Sequence, residues 1–164
     1  MKQRVLGLAL AFSLALGGAA GADTSVTEDP VLAKLQQMVG NLGYTTTLAS
    51  DNQSFGIQWQ GNYNYTIRFD TSKDDSLAYA YVKLGNYGPD QLAKLDFAKL
   101  LEISDAGDFY FSMEKHADGK SESLYANTLL ALSGLTPEAL RGLLQSMASK
   151  LDDSAAIWDP SLWK

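Results

Sequence analysis

Cysteine is absent from the 164 residues. That excludes disulfide bridges, thiol nucleophiles, dithiol redox pairs and thiolate metal sites, so stability has to come from packing and hydrogen bonding. Histidine occurs once, as His116, and any Ser-His-Asp arrangement or His-rich metal site would have to be built around it. Basic residues are scarce, 13 against 19 acidic ones, for a formal net charge of −6. No Lys/Arg cluster offsets this. Such a chain is poorly matched to nucleic acid or an anionic membrane surface, where basic contacts with phosphate dominate. After Ala22 no apolar run approaches the roughly 20 residues that a helix needs to span a bilayer.

The first residues have a different composition. Lys2 and Arg4 give a short positive start, Val5 to Leu16 is an apolar run broken by Gly7 and Ser13, and Gly17, Gly18 and Ala20-Gly21-Ala22 follow. This is the three-part layout of a secretory signal peptide. The expectation is a signal peptide over residues 1–22, cleaved after Ala22, and a mature chain over 23–164 forming one domain. An uncleaved anchor would need a longer apolar run. Removing Lys2 and Arg4 from the 13 basic residues leaves 11 against 19, a mature charge of 11 − 19 = −8. The mature protein is expected in the periplasm, if the host is Gram-negative, or outside the cell, with no membrane insertion.

Hydrophobic spacing then predicts the elements. Asp29-Pro30 is a helix start, because Asp caps and Pro is tolerated in the first turn. Val31, Leu32, Leu35, Met38 and Val39 follow at helical spacing, and Gly40 and Gly43 bracket the exit. Tyr44 to Ala49 is Thr-rich and Ser50-Asp51-Asn52 is a turn signal. Phe55, Ile57 and Trp59 alternate with polar residues, as do Tyr63, Tyr65, Ile67 and Phe69 after the tight connection Gly61-Asn62. Leu77 to Leu84 adds a third strand, with a break over Asn86 to Pro89. Leu92, Leu95, Leu100 and Ile103 predict one helix from Asp90 to Ser104, ended by Ala106-Gly107. Phe109, Phe111 and Met113, the turn His116 to Gly119, and Glu122 to Ala131 form a second hairpin. Thr136-Pro137 opens a last helix with the stripe Leu140, Leu143, Leu144, Met147 and Leu151. A tail from Asp152 carries Trp158 and Trp163. The order is α-β-β-β-α-β-β-α, and the economical architecture is an α+β domain with a five-stranded antiparallel sheet and helices on one face.

This order, with Leu92 to Ile103 leading into Asp108 to Met113, His116-Ala117-Asp118-Gly119 and Leu124 to Leu132, is similar to the fold of type III secretion chaperones. Ser133-Gly134-Leu135-Thr136-Pro137-Glu138-Ala139-Leu140 resembles the strand-to-helix junction of the related YbjN-type family of bacterial sensory transduction regulators. The resemblance spans about residues 30 to 158 and is clearest over 90 to 150. It implies a small domain that binds another protein or a second copy of itself, with no cofactor and no catalytic residues. Type III chaperones act in the cytosol, so a chain with an export signal departs from their setting.

Few residues invite a chemical reading. His116 lies in a turn beside Lys115 and Asp118, where a solvated role is the ordinary one, and no G-x-S-x-G elbow supplies a nucleophile. Asp74-Asp75 and Asp152-Asp153 are adjacent pairs, unlike the alternating oxygen ligands of a calcium loop. No metal or cofactor is therefore expected. Trp59, Tyr63, Tyr65, Tyr79 and Tyr81 could line a sugar or peptide groove. Trp59, Tyr63 and Tyr65 share the phase of Ile57, Ile67 and Phe69, however, which assigns them to the core. Trp158 and Trp163 either fold back onto an apolar patch or anchor a partner. Val31 and Leu35 on the first helix are candidates for a partner or dimer surface.

The leading expectation is an exported, non-enzymatic binding module, recognising a protein or peptide with a chaperone-like or regulatory role. The alternatives are a periplasmic carboxylate-based hydrolase and a structural dimer subunit. A hydrolase would need two carboxylates facing each other across a cleft, and no spacing here selects such a pair.

Overall fold

The computed structural model describes residues 29–104 and 109–163. The signal peptide, its cleavage point after Ala22, the polar residues 23–28 and the helix exit at Ala106-Gly107 lie outside the described residues. The first helix, α1 (Pro30–Asn41), starts where Asp29 and Pro30 place it. The Asp29 carboxylate accepts from the Val31 N–H at 2.8 Å and the Leu32 N–H at 3.4 Å, satisfying donors that have no partner within the helix. Leu32, Leu35 and Val39 are its buried stripe. Gly43, at φ +96°, turns the chain out of the helix in a conformation that an L side chain rarely adopts.

The strands are β1 (Thr46–Leu48), β2 (Phe55–Gln60), β3 (Asn64–Thr71), β4 (Leu77–Tyr87), β5 (Phe109–Lys115) and β6 (Glu122–Ala131). They form one sheet in the order β1-β2-β3-β4-β6-β5. Every neighbouring pair is antiparallel. The sheet thus has six strands, not the five expected. The extra one is the short Thr-rich stretch, whose Thr46 to Leu48 pair with Ile57 to Phe55. Three residues are too few to display an alternating pattern, so this edge strand left no periodic trace.

Strand β4 also runs three residues beyond the expected Leu84. The break expected to begin at Asn86 does not end the strand: the chain absorbs an irregularity between Lys83 and Gly85 and stays paired to β6 as far as Tyr87. On its other side β4 behaves differently. Its ladder with β3 joins Arg68–Thr71 to Ala78–Tyr81 and stops there. Asn64 to Ile67 remain paired to β2, and Val82, Lys83 and Gly85 to β6.

Two helical expectations are corrected. The single helix over 90–104 is two, α2 (Pro89–Leu92) and α3 (Phe97–Ser104). Leu95 is buried in the break, and Asp96 Oδ1 accepts from the Lys99 N–H at 3.1 Å to start a new helix. The last helix, α4 (Pro137–Trp158), is longer than its leucine stripe suggested and includes Trp158 in its final turn. Leu151, Ser154, Ala155 and Trp158 continue the buried stripe through Asp152 and Asp153, whose charges had marked the start of a tail. Thr136 Oγ1 caps its start, accepting from the Ala139 N–H at 3.2 Å.

Alternate residues of β2, β3, β4 and β6 point to one side and are buried there: Phe55 and Ile57, Tyr65, Ile67 and Phe69, Ala78, Ala80 and Val82, Leu124, Ala126 and Leu130. Helices α1, α3 and α4 contribute Leu32, Leu35, Leu100, Leu140, Leu144 and Leu151 to the same core. Burying each such side chain contributes about 1.5–3 kcal/mol. The helices stand on this face, as expected. The other face of β3, β4, β6 and β5 carries mostly half-buried and exposed residues, and among the described residues no helix packs on it.

Candidate functional site

The uncovered face is read directly from the register. Arg68 pairs with Tyr81, Tyr81 with Asn127, and Asn127 with Tyr110, so these four side chains form one row across four strands. On one side of it runs Asp70, Tyr79 and Leu129. On the other runs Lys83, Tyr125 and Ser112, followed by Asn86, Ser123 and Glu114. Four tyrosines, Tyr79, Tyr81, Tyr110 and Tyr125, therefore meet on the helix-free side, each half-buried by its neighbours. With Asp70, Lys73 and Glu114, three of them, Tyr79, Tyr81 and Tyr125, line a shallow depression.

Side-chain hydrogen bonds hold this surface in place. Asn127 Nδ2 donates to Ser112 Oγ at 2.9 Å and to the Tyr110 carbonyl at 3.4 Å. The Tyr125 hydroxyl donates to Glu114 Oε2 at 2.9 Å. Tyr81 and Tyr125 meet edge to face at 6.3 Å, and Lys83 Nζ lies 6.0 Å from the Tyr125 ring centroid. Partial burial raises the pKa of Tyr81, Tyr110 and Tyr125, with the Asp70 charge adding to it at Tyr81 and the Glu114 hydrogen bond at Tyr125. All three hydroxyls stay protonated at neutral pH, that of Tyr125 already donating to Glu114. Burial also raises the Asp70 carboxyl above its ordinary value.

The face offers ring area, hydroxyls, an amide and charges of both signs, which suits non-covalent recognition. Its one arrangement reminiscent of catalysis is His116, Ser123 and Asn86. His116 Nε2 lies 2.7 Å from Ser123 Oγ, and Ser123 Oγ donates to Asn86 Oδ1 at 2.8 Å. The Ser123 hydroxyl is thus shared between the amide and the imidazole, whose part in the contact depends on its tautomer. Ser123 is moreover 1% exposed. His116 is thus half-buried and bonded, not simply solvated as a turn residue would be.

The acidic pairs are held differently. Asp74 Oδ1 accepts from Ser72 Oγ at 2.6 Å and Ser76 Oγ at 2.9 Å, closing its own turn. Asp152 accepts from the Tyr65 hydroxyl at 2.6 Å, while Asp153 is exposed on the next position of α4. Among the described residues no group of three His, Asp or Glu is placed to hold a metal ion, and no helix is long and apolar enough to cross a membrane.

The residues singled out for partner binding fall in different places. Leu35 is 2% exposed and Trp158 6%, both inside the core. Val31 is half-buried beside a groove that includes Leu132 and Leu135. Trp163 is half-buried, stacks on Tyr87 at 6.1 Å and donates from Nε1 to the Ile157 carbonyl at 3.1 Å. The aromatic group divides by phase. Tyr65 is buried, Trp59 and Tyr63 are half-buried against the core, and Tyr79 and Tyr81 stand on the opposite face. Tyr110, Tyr125 and Asn127 were missed as site residues. Their signal is being out of phase with Phe109, Phe111, Leu124 and Ala126, which identifies a common face only once β6 is known to lie between β4 and β5.

Comparison with known proteins bears on the fold. No protein-family model matches the sequence, and no curated protein matches it. Among solved structures the chain is similar to YbjN from E. coli, 14% identical, with 76% of this chain and 91% of that chain covered at a TM-score of 0.56. Lesser likenesses are the HopA1-SchA chaperone-effector complex (12% identical, 74% and 94% covered, TM-score 0.44) and the ExsC-ExsE complex (16% identical, 80% and 90% covered, TM-score 0.36). The likeness to YbjN shows that the two chains share a fold, as the element order suggested.

Proposed function

We propose that this chain is an exported, non-enzymatic module that binds a protein or peptide on its helix-free tyrosine face. The observation that carries the reading is the row Arg68-Tyr81-Asn127-Tyr110 with its flanking Tyr79 and Tyr125. Tyrosine brings large contact area at a small cost in conformational entropy and keeps a polar tip, which is why it concentrates at interfaces. Export rests on the N-terminal pattern of Lys2, Arg4, Val5 to Leu16 and Ala20-Gly21-Ala22. The shared fold with YbjN is consistent with a binding role.

The test is affinity capture from an extract of the producing cells with the wild-type chain and with a Tyr81→Ala/Tyr125→Ala variant. Both side chains are partly exposed, so the variant should keep its thermal transition. The expected outcome is a protein captured by the wild-type chain and lost with the variant. Equal capture by both would remove the face from the reading, and a hydrolytic activity abolished by a single polar substitution would remove the non-enzymatic part.

A further inference from the structure

Beyond Arg68 and Tyr81, β3 and β4 separate, and the two edges that face each other there, Asn64–Ile67 and Val82–Gly85, are joined by no ladder pair among the described residues. Between them lies a cleft of about 530 Å³. On the core side the cleft is backed by α4. Trp158 meets Tyr63 at 5.6 Å and Tyr65 at 6.4 Å. The Tyr87 hydroxyl donates to the Trp158 carbonyl, and the Tyr65 hydroxyl to Asp152. Helix α4 is thereby tied to both strands on the core side of the cleft.

The geometry points to a strand-receiving slot: an extended acidic peptide segment, supplied by a partner, adds between β3 and β4 in this fork. Two facing strand edges offer main-chain donors and acceptors, and an inserted strand is the ligand that pairs with both. Charge fixes the side-chain class. Arg68 and Lys83 line the cleft and no carboxylate does. Neither cation takes part in an ion pair among the described residues, where Lys99 with Asp96 is the pair present. In a chain of net charge −6 this is a locally positive mouth. Alternation then requires a pattern: acidic side chains toward Arg68 and Lys83 on the open face, apolar ones toward Tyr65 and Trp158 on the other.

The probe is a short synthetic peptide alternating Val and Glu, compared with its Val/Lys counterpart and with a backbone N-methylated Val/Glu form. Binding to the full chain is followed by amide hydrogen exchange. The expected result is new protection at Asn64–Ile67 and Val82–Gly85, and an affinity for the Glu peptide at least about tenfold above that for the Lys peptide. N-methylation should abolish binding, and Arg68→Glu/Lys83→Glu should reverse the charge preference. No protection at those amides, or equal affinity for the two peptides, overturns the slot. The slot and the tyrosine face fail separately: a Tyr81→Ala/Tyr125→Ala variant that still shows peptide protection leaves the slot standing even if partner capture proves independent of the tyrosines.

Discussion

Asp29 carries more than one task for a single side chain. One carboxylate oxygen accepts the first N–H groups of α1, and the other accepts from the Thr71 hydroxyl at 2.8 Å, tying the helix start to the end of β3. The Thr71 hydrogen bond is the main reason that its carboxyl sits below the ordinary value. Between that lowered value and the unfolded one the unfolded chain binds more protons, so stability rises with pH there and is lost as pH falls through the folded value. Asp29→Ala should lower stability by about 1 kcal/mol, measured by urea unfolding at neutral pH. Asp70 has the opposite sign. Burial raises its carboxyl, so the folded state keeps its proton to higher pH than the unfolded chain, and stability falls as pH rises through the folded value. Asp70→Asn should therefore unfold at a higher denaturant concentration than the wild type at pH 7. That gap should close as pH drops below the ordinary aspartate value, and a gap of constant size across pH would contradict this assignment.

At the level of elements, the sequence is most readable where a local rule decides the outcome. Asp29-Pro30 and Thr136-Pro137 place two helix starts correctly, and the alternation of Phe55, Ile57, Tyr65, Ile67 and Phe69 places two strands and their buried face. It is least readable where a distant partner decides. Thr46–Leu48 is a strand because β2 is beside it, and Gly85 continues β4 because β6 holds both sides of the irregularity. Gly85 has a second requirement. A Cβ there would come within 3.2 Å of the Tyr87 ring, and that ring is fully buried and bonded to Trp158. Gly85→Ala should cost about 1–3 kcal/mol through overpacking. The same substitution at Gly88, where nothing lies within 4 Å of the added atom, should cost less. Comparing the two by thermal unfolding separates the packing effect from the general loss of a glycine.

Over the whole molecule, the described helices stand on one side of the sheet and leave its other side uncovered among the described residues, and this division determines what is available for recognition. The aromatic residues divide with it. Tyr65 and Tyr87 are buried inside, while Tyr79, Tyr81, Tyr110 and Tyr125 stand on the open face. That distribution was only half legible beforehand, since the phase of β2 and β3 sorts Tyr65 into the core but the order β4-β6-β5 is needed to assemble the outer four. Leu35 and Trp158, candidates for partner contact in sequence, are core residues because α1 and α4 turn their buried stripes to the sheet. The most direct measurement incorporates 3-fluorotyrosine throughout the chain and follows fluorine resonances as the captured partner is added. Tyr79, Tyr81, Tyr110 and Tyr125 should shift, while the fully buried Tyr87 holds its position. Shifts confined to the buried tyrosines, with the open-face four unmoved, would contradict recognition on this surface.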